Sequence, residues 1–250
     1  MEVITSTKNK WVHYVQKLHK PRQRKRQQQF ILEGWHLVEE ALNANATLCM
    51  VFVEASQWER TQAWSLSCPV HAVSSSVLKA MADTPTPQGI IAVVQMLEQP
   101  ELETIGGSVL VLDRVQDPGN VGTMIRTADA SGYDAVVLSH DSADLYNAKV
   151  LRSTQGSLYH LPIIYTDLDE WIPQWLMKGA LYGTELNEEA VDYRTLSPTG
   201  NFAVIMGNEG QGVRPELLAQ TTQNVYLPMR GQAESLNVAV ATGILLFRWQ

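Results

Sequence analysis

The sequence is poor in cysteine: Cys49 and Cys68 are the only two in 250 residues, and there is no CxxC, no HExxH and no Cys/His cluster. A disulfide framework and a structural zinc site therefore find no support, and no metal is expected. Long hydrophobic runs are also missing. Nothing approaches the roughly 18 apolar residues of a membrane span, and the first twenty residues are polar and basic, without the apolar core of a signal peptide. These absences point to a cytoplasmic protein. Charged residues are only 18% of the chain, whereas apolar types make up 45%, the composition of a chain that buries a core. The length suits one or two domains.

Acidic residues are absent from positions 8–26, which hold Lys8, Lys10, Lys17, Lys20, Arg22, Arg24, Lys25 and Arg26, or 8 of the 19 basic residues. The net charge of −7 comes from elsewhere: residues 108–250 carry 9 basic groups against 16 acidic ones. A basic element on an acidic body is an electrostatic footprint for phosphate. His13, Tyr14 and His19 interleave with the charges and could stack on bases. The segment reads either as an RNA contact, through Lys8, Lys10, Arg22, Arg24, Lys25 and Arg26, or as a solvated helix.

Short apolar runs alternate with helical patterns. Strands are expected at 30–34, 48–54, 69–73 and 89–96, with helices at Trp35–Asn43 and Ser74–Met81 between them. LEQPELETIGG (97–107) reads as a linker, and a second series of strands follows at 108–113, 135–139, 161–165, 180–184, 202–207 and 224–229. The expectation is an α/β fold with parallel sheets covered by helices on both faces and ligands at the carboxyl ends of the strands. The domains would be 1–96 and 108–250.

Three segments carry the chemistry. In DRVQDPGNVGTMIRTADASG (113–132) a strand ends, Pro-Gly turns the chain, and a helix begins near Asn120, a good N-cap. Val121, Met124, Ile125 and Ala128 form one buried stripe, with Arg126 on the opposite side. In FAVIMGNEGQGVRPELL (202–218) a buried strand leads into a turn with three glycines in six residues, which lets a ligand approach the backbone. Glu209 makes this turn a poor phosphate cradle, and neither a P-loop nor a strict GxGxxG is present. In VYLPMRGQAESLNVAVATGILLF (225–247) Ser235 or Asn237 caps a helix apolar around most of its circumference, which must be buried at a domain centre or a subunit interface.

Taken together, DPGNVGTMIRTADASG, VIMGNEGQG and YLPMRGQAESLNVAVA resemble, in this order, the three motifs of the SpoU-type (TrmH-like) RNA ribose 2′-O-methyltransferases of the SPOUT superfamily. KVLRSTQGSLYHLPI (149–163) is similar to the family's segment between the first two motifs. ITSTKNKWVHYVQKL and FILEGWHLVEEAL are similar to the substrate-binding domain often fused in front. The resemblance implies a C-terminal knotted SPOUT methyltransferase domain, a smaller N-terminal L30e-like α/β domain that binds RNA, S-adenosylmethionine as cofactor, and a homodimer. It puts cofactor contacts on Thr184, Gly207, Leu227 and Leu236, and the catalytic set on Arg126, Asn120, Glu209, Ser235 and Asn237. Ribosomal RNA is the expected substrate and transfer RNA the alternative.

Methyl transfer to a ribose hydroxyl needs in-line alignment and help with the hydroxyl proton. The family's proposed base falls on Arg126, yet a charged guanidinium has no acceptor and is a very poor acid. Arg126 acting as a charged clamp on the ribose phosphate is the better reading. Two other classes compete. A nonenzymatic RNA-binding protein is disfavoured by the intact Asn120, Arg126, Glu209, Ser235 and Asn237. A nicotinamide oxidoreductase is disfavoured because no early strand leads into GxGxxG.

Overall fold

A computed structural model describes residues 2–187 and 189–250. It separates into two compact units, one formed by the residues up to Glu98 together with Tyr146–Tyr159, the other by Gln99–Leu145 and His160–Gln250. The stretch 146–159, expected from the sequence in the second domain, thus packs with the first.

The first unit is built from β1 (Val3–Ile4), α1 (Lys10–Leu18), α2 (Pro21–Gln27), β2 (Gln29–Glu33), α3 (Trp35–Asn43), β3 (Leu48–Glu54), β4 (Val70–Val73), α4 (Ser75–Met81) and β5 (Ile90–Gln95). Its sheet has the order β1-β4-β3-β5-β2. β1, β4 and β3 are parallel, but β5 runs antiparallel to both β3 and β2. The expectation of an all-parallel sheet is corrected here. An apolar run such as IIAVV reads the same in either direction, and the connection sets its sense.

Asn9 caps α1 by accepting from Trp11 N, and Val12, Val15 and Leu18 turn inward, the i, i+3, i+6 spacing of one helix face. Lys8, Lys10, Arg22, Lys25 and Arg26 are exposed. Arg24 is not: it is 4% exposed, and its Nη1 donates to the carbonyls of Leu18 and His19 at 3.1 and 2.8 Å. A cation on the terminal carbonyls of a helix satisfies groups that the helix leaves unpaired, so Arg24 leaves the RNA-contact set. His19 is likewise committed, its Nε2 lying 2.7 Å from the Met81 carbonyl.

The second unit starts with β6 (Ser108–Leu112), α5 (Pro118–Ala130) and β7 (Ala135–Ser139). The chain then enters the first unit through α6 (Ala148–Thr154) and returns with β8 (Ile163–Thr166), α7 (Leu168–Leu176), β9 (Ala180–Thr184), β10 (Val191–Asp192), β11 (Phe202–Met206), α8 (Pro215–Leu218), β12 (Gln223–Tyr226) and α9 (Val238–Arg248). All neighbours in the sheet β10-β12-β9-β11-β6-β7-β8 are parallel. Central β7 and β11 are buried along their whole length; strands covered on both faces read as continuous apolar runs rather than alternating ones.

One helix start differs from expectation, and one open choice is decided. Asp117, not Asn120, caps α5, accepting from Asn120 N at 3.0 Å with Pro118 in the first turn. Pro is pre-organised for that position, so the helix begins earlier and the Asn120 side chain is free for other work. Asn237, rather than Ser235, caps α9 through Ala239 N and Val240 N. α9 buries Ala239, Thr242, Leu245 and Leu246, but Val240, Ile244 and Phe247 stay 53%, 37% and 51% exposed within the single chain.

Candidate active site

The sheet of the second unit grows from β6 in both directions. β7 and β8 lie on one side, β11 and β9 on the other, and the chain leaving β11 passes beyond β9 to form β12. Loops leaving β6 and β11 therefore diverge at their carboxyl ends, the place where parallel α/β sheets bind ligands.

The loop after β11 closes on itself. Asn208 and Gly212 exchange backbone hydrogen bonds of 3.0 and 2.9 Å, and Asn208 Oδ1 accepts from Gly210 N and Gln211 N at 3.0 and 3.1 Å. A Cβ at Gly207 would meet the Gly212 carbonyl carbon at 2.0 Å and Val213 N at 2.1 Å. Gly207 is thus required by the loop's own backbone, whatever a ligand there needs.

Arg214 fixes the far end of the loop. Its N and Nε donate to the two carboxylate oxygens of Asp113 at 2.9 and 3.0 Å, and its Nη1 to Asp169 at 2.7 Å. Asp113 is fully buried, so its charge needs this partner. Desolvation works against the Arg214 charge, but the bonds to Asp169 and Asp113 outweigh it and raise its pKa. Sequence reading missed this clamp. Asp113 and Arg214 are 101 positions apart, and the pairing of β6 with β11 brings them together.

So held, the loop presents Glu209 to the first motif. Glu209 accepts from Asp117 N and Asn120 Nδ2, both at 3.0 Å, and from Gln116 N at 3.3 Å. Partial desolvation pushes its carboxyl up, and these hydrogen bonds more than reverse that, leaving the pKa below the ordinary value. Asn120 Oδ1 in turn accepts from Asn237 Nδ2 at 3.1 Å. Glu209, Asn120 and Asn237 thus form one chain joining the three sequence segments. Arg126 and Ser235 stand outside it, and both are exposed.

Beside this chain lies a cavity of about 970 Å³ at the carboxyl ends of β9, β11 and β12, lined by Thr184, Gly207, Leu227 and Leu236 and edged by Glu209, Ser235 and Asn237. Its size is at the upper end of small-molecule sites. Residues 228–236, which supply one wall, form no regular element, and their backbone groups find no hydrogen-bond partner among the described residues. Unpaired backbone donors and acceptors at a largely apolar cavity suit a nucleoside, which offers an apolar ring with a polar edge. Among the described residues no group of three or more His, Cys, Asp or Glu could hold a metal.

This architecture has counterparts. The profile of the SpoU rRNA Methylase family matches residues 107–247, and that of the MRM3-like substrate binding domain matches 9–92. A 23S rRNA (guanosine(2553)-2′-O)-methyltransferase of Bacillus subtilis is 43% identical over 249 residues, covering 99% of this chain and 98% of that protein. An uncharacterised tRNA/rRNA methyltransferase of Synechocystis is 36% identical, covering 98% of this chain and 92% of that protein. The AdoMet-bound rRNA methyltransferase of Sinorhizobium meliloti superposes with a TM-score of 0.89 at 30% identity, covering 99% of this chain and 96% of that one. With the three segments joined by one hydrogen-bond chain and the profile spanning them all, the chain belongs to the SpoU rRNA methylase family.

Proposed function

We propose that the protein transfers a methyl group from S-adenosylmethionine to a ribose 2′-hydroxyl of ribosomal RNA. The observation that carries this reading is the Glu209–Asn120–Asn237 chain at the mouth of the cavity, in a chain so similar to rRNA methyltransferases. When bound, S-adenosylmethionine supplies a methyl carbon on a sulfonium, open to direct displacement by an oxygen. The residues fit it: Thr184, Gly207, Leu227 and Leu236 would line its adenosine and methionine parts.

The protein's part is alignment and control of a proton. Asn120 and Ser235 orient the ribose hydroxyl. Glu209 and Asn237 keep the second loop and α9 in register with α5. Arg126 stays charged and holds the phosphate next to the ribose, because deprotonating a guanidinium at neutral pH costs more than the step returns. The hydroxyl proton then leaves late, to solvent.

The exposed α9 face of Val240, Ile244 and Phe247 supports a homodimer built on it, since adjacent exposed apolar side chains of this size mark an interaction surface. A knotted C-terminal chain path, the basic N-terminal surface as the RNA contact and a cytoplasmic location belong to the same reading. Mass-spectrometric mapping of ribose methylation, on rRNA from a deletion strain before and after treatment with purified protein and cofactor, tests it. One site lost in the strain and restored by the protein is expected; an unchanged map refutes it.

A further inference from the structure

Four residues other than glycine adopt positive φ among those described: Gln28, Asn45, Arg114 and Gln155. Three have a local explanation. Gln28 and Gln155 are the left-handed caps of α2 and α6, and Asn45 follows the cap of α3; helices commonly end this way. Arg114, at φ +56°, follows a strand. Its backbone is held on both sides, N donating to Ser139 Oγ at 2.8 Å and O accepting from Asn208 Nδ2 at 3.0 Å. A long side chain at a position that favours glycine is a cost that the fold does not require.

The side chain is also poorly used within the protein. A guanidinium has five N–H donors, and that of Arg114 makes one long hydrogen bond, Nη1 to Gln211 Oε1 at 3.4 Å. Its Nε is buried without a hydrogen-bond partner, 3.6 Å from an Asp113 carboxylate that Arg214 already engages twice. Sealed from solvent, Nε is out of a ligand's reach, which leaves the terminal nitrogens of the fork for one. The Arg114 side chain is 27% exposed, so a ligand can reach it.

We propose that Arg114 binds a backbone phosphate of the RNA beside the nucleotide to be methylated, and that this contact is why an arginine occupies a glycine-like position. A guanidinium selects a tetrahedral dianion or monoanion with paired oxygens. The methionine carboxylate of the cofactor offers similar chemistry, but Arg114 does not line the 970 Å³ cavity. The inference rests on the proposed RNA methylation and adds the residue that registers the strand.

The test uses the full-length protein with rRNA substrate and titrates salt. Arg114→Gly removes the side chain and relieves the backbone; Arg114→Asn does the same with the residue that best tolerates this conformation after glycine; Arg114→Lys keeps a point charge. For Gly and Asn the KM for RNA should rise about tenfold, and the log–log salt slope should fall by about 0.7 to 0.9, the share of one phosphate. Kd for S-adenosylmethionine should stay unchanged and the melting temperature should not drop. The Lys variant should recover part of the RNA affinity. Wild-type KM and salt slope in folded Gly and Asn variants overturn the proposal. So does a rise in cofactor Kd with RNA binding intact, which would assign the guanidinium to the carboxylate. Absence of methyl transfer by the wild-type protein would instead sink the underlying function.

Discussion

Replacing Asn120 by Asp changes one NH2 group to an oxygen at the centre of the site. Asn120 Nδ2 donates to Glu209 Oε1 at 3.0 Å, and Asn120 Oδ1 accepts from Asn237 at 3.1 Å. In the Asp variant the second bond survives, the first is lost, and two carboxylates face each other. A hydrogen bond to a charged group contributes about 1.5–3 kcal/mol, the lower end applying to a site open to water. Two unit charges about 3 Å apart in water repel by about 1.4 kcal/mol. Asn120→Asp should therefore cost about 3 kcal/mol at pH 8. Asn120→Ala loses both bonds without repulsion and should cost about 2 kcal/mol. At roughly 2–4 °C per kcal/mol for a chain of this size, the melting temperature should fall by about 6–12 °C and about 4–8 °C respectively. The gap between the two must close with acid. Mutual repulsion raises one of the paired carboxyls by about one pKa unit, so protonation relieves the Asp variant near pH 5, while the Ala variant has nothing to relieve. Differential scanning fluorimetry at pH 8 and pH 5, with cofactor titrations at both, reads this directly. An Asp variant no worse than Ala at pH 8, or a gap that persists at pH 5, would refute the assigned hydrogen-bond chain.

Glu209 itself sets a second pH limit. Its folded pKa lies below its ordinary value, so its contribution is complete above about pH 4.5 and is lost as pH falls through the depressed value. Cofactor affinity should be flat from pH 5 to 8 and fall only once the pH passes down through the depressed value, and Glu209→Gln should lack that acid limb; a collapse already at pH 6 would point to another group. Replacing Lys8, Lys10, Arg22, Lys25 and Arg26 by Ala should weaken RNA binding and flatten its salt dependence without moving the melting temperature, whereas Arg24→Ala should lower the melting temperature by leaving the α1 carbonyls unpaired. Filter binding and thermal unfolding distinguish the two sets, and equal behaviour of both would remove the distinction drawn from burial. Phe247→Asp should convert a dimer near 56 kDa, twice the 27.9 kDa chain, to monomer in light scattering; a wild-type monomer at all concentrations would end the dimer proposal.

The sequence announces what is periodic or local. Buried strands such as AVVLS at 135–139 fall where their apolar runs stand, and the stripe Val121, Met124, Ile125 and Ala128 is buried as spaced. The start of α5 lies three residues before Asn120 because Asp117 is an equally competent cap and Pro118 sets the first turn, whereas Asn237 was one of two caps open for α9. Strand sense in β5 and the burial of Arg24 were not legible either, since neither leaves a mark on composition. The site divides the same way. Glu209, Asn120 and Asn237 stand in motifs, but the Asp113–Arg214–Asp169 clamp and the strained backbone of Arg114 exist only once distant strands lie side by side.

The placement of 146–159 with the N-terminal unit has a consequence for any attempt to take the protein apart. The polypeptide passes between the units three times, so no single cut separates them. A fragment ending at Glu98 would lack Tyr146, whose ring lies 4.6 Å from that of Phe30 and whose hydroxyl accepts from Leu97 N at 3.0 Å, and would also lose the Gln155 carbonyl that partners His36 at 3.1 Å. The complementary fragment would carry Val150, Leu151 and Leu158, all buried in the whole protein, with nothing to cover them. Each piece should be sticky by itself, and the two melting events should be coupled even where the surfaces between the units contribute nothing. Opening one unit pulls on the covalent ends of a segment that the other must hold, so ordering of the N-terminal unit and ordering of the C-terminal unit are linked through the chain itself.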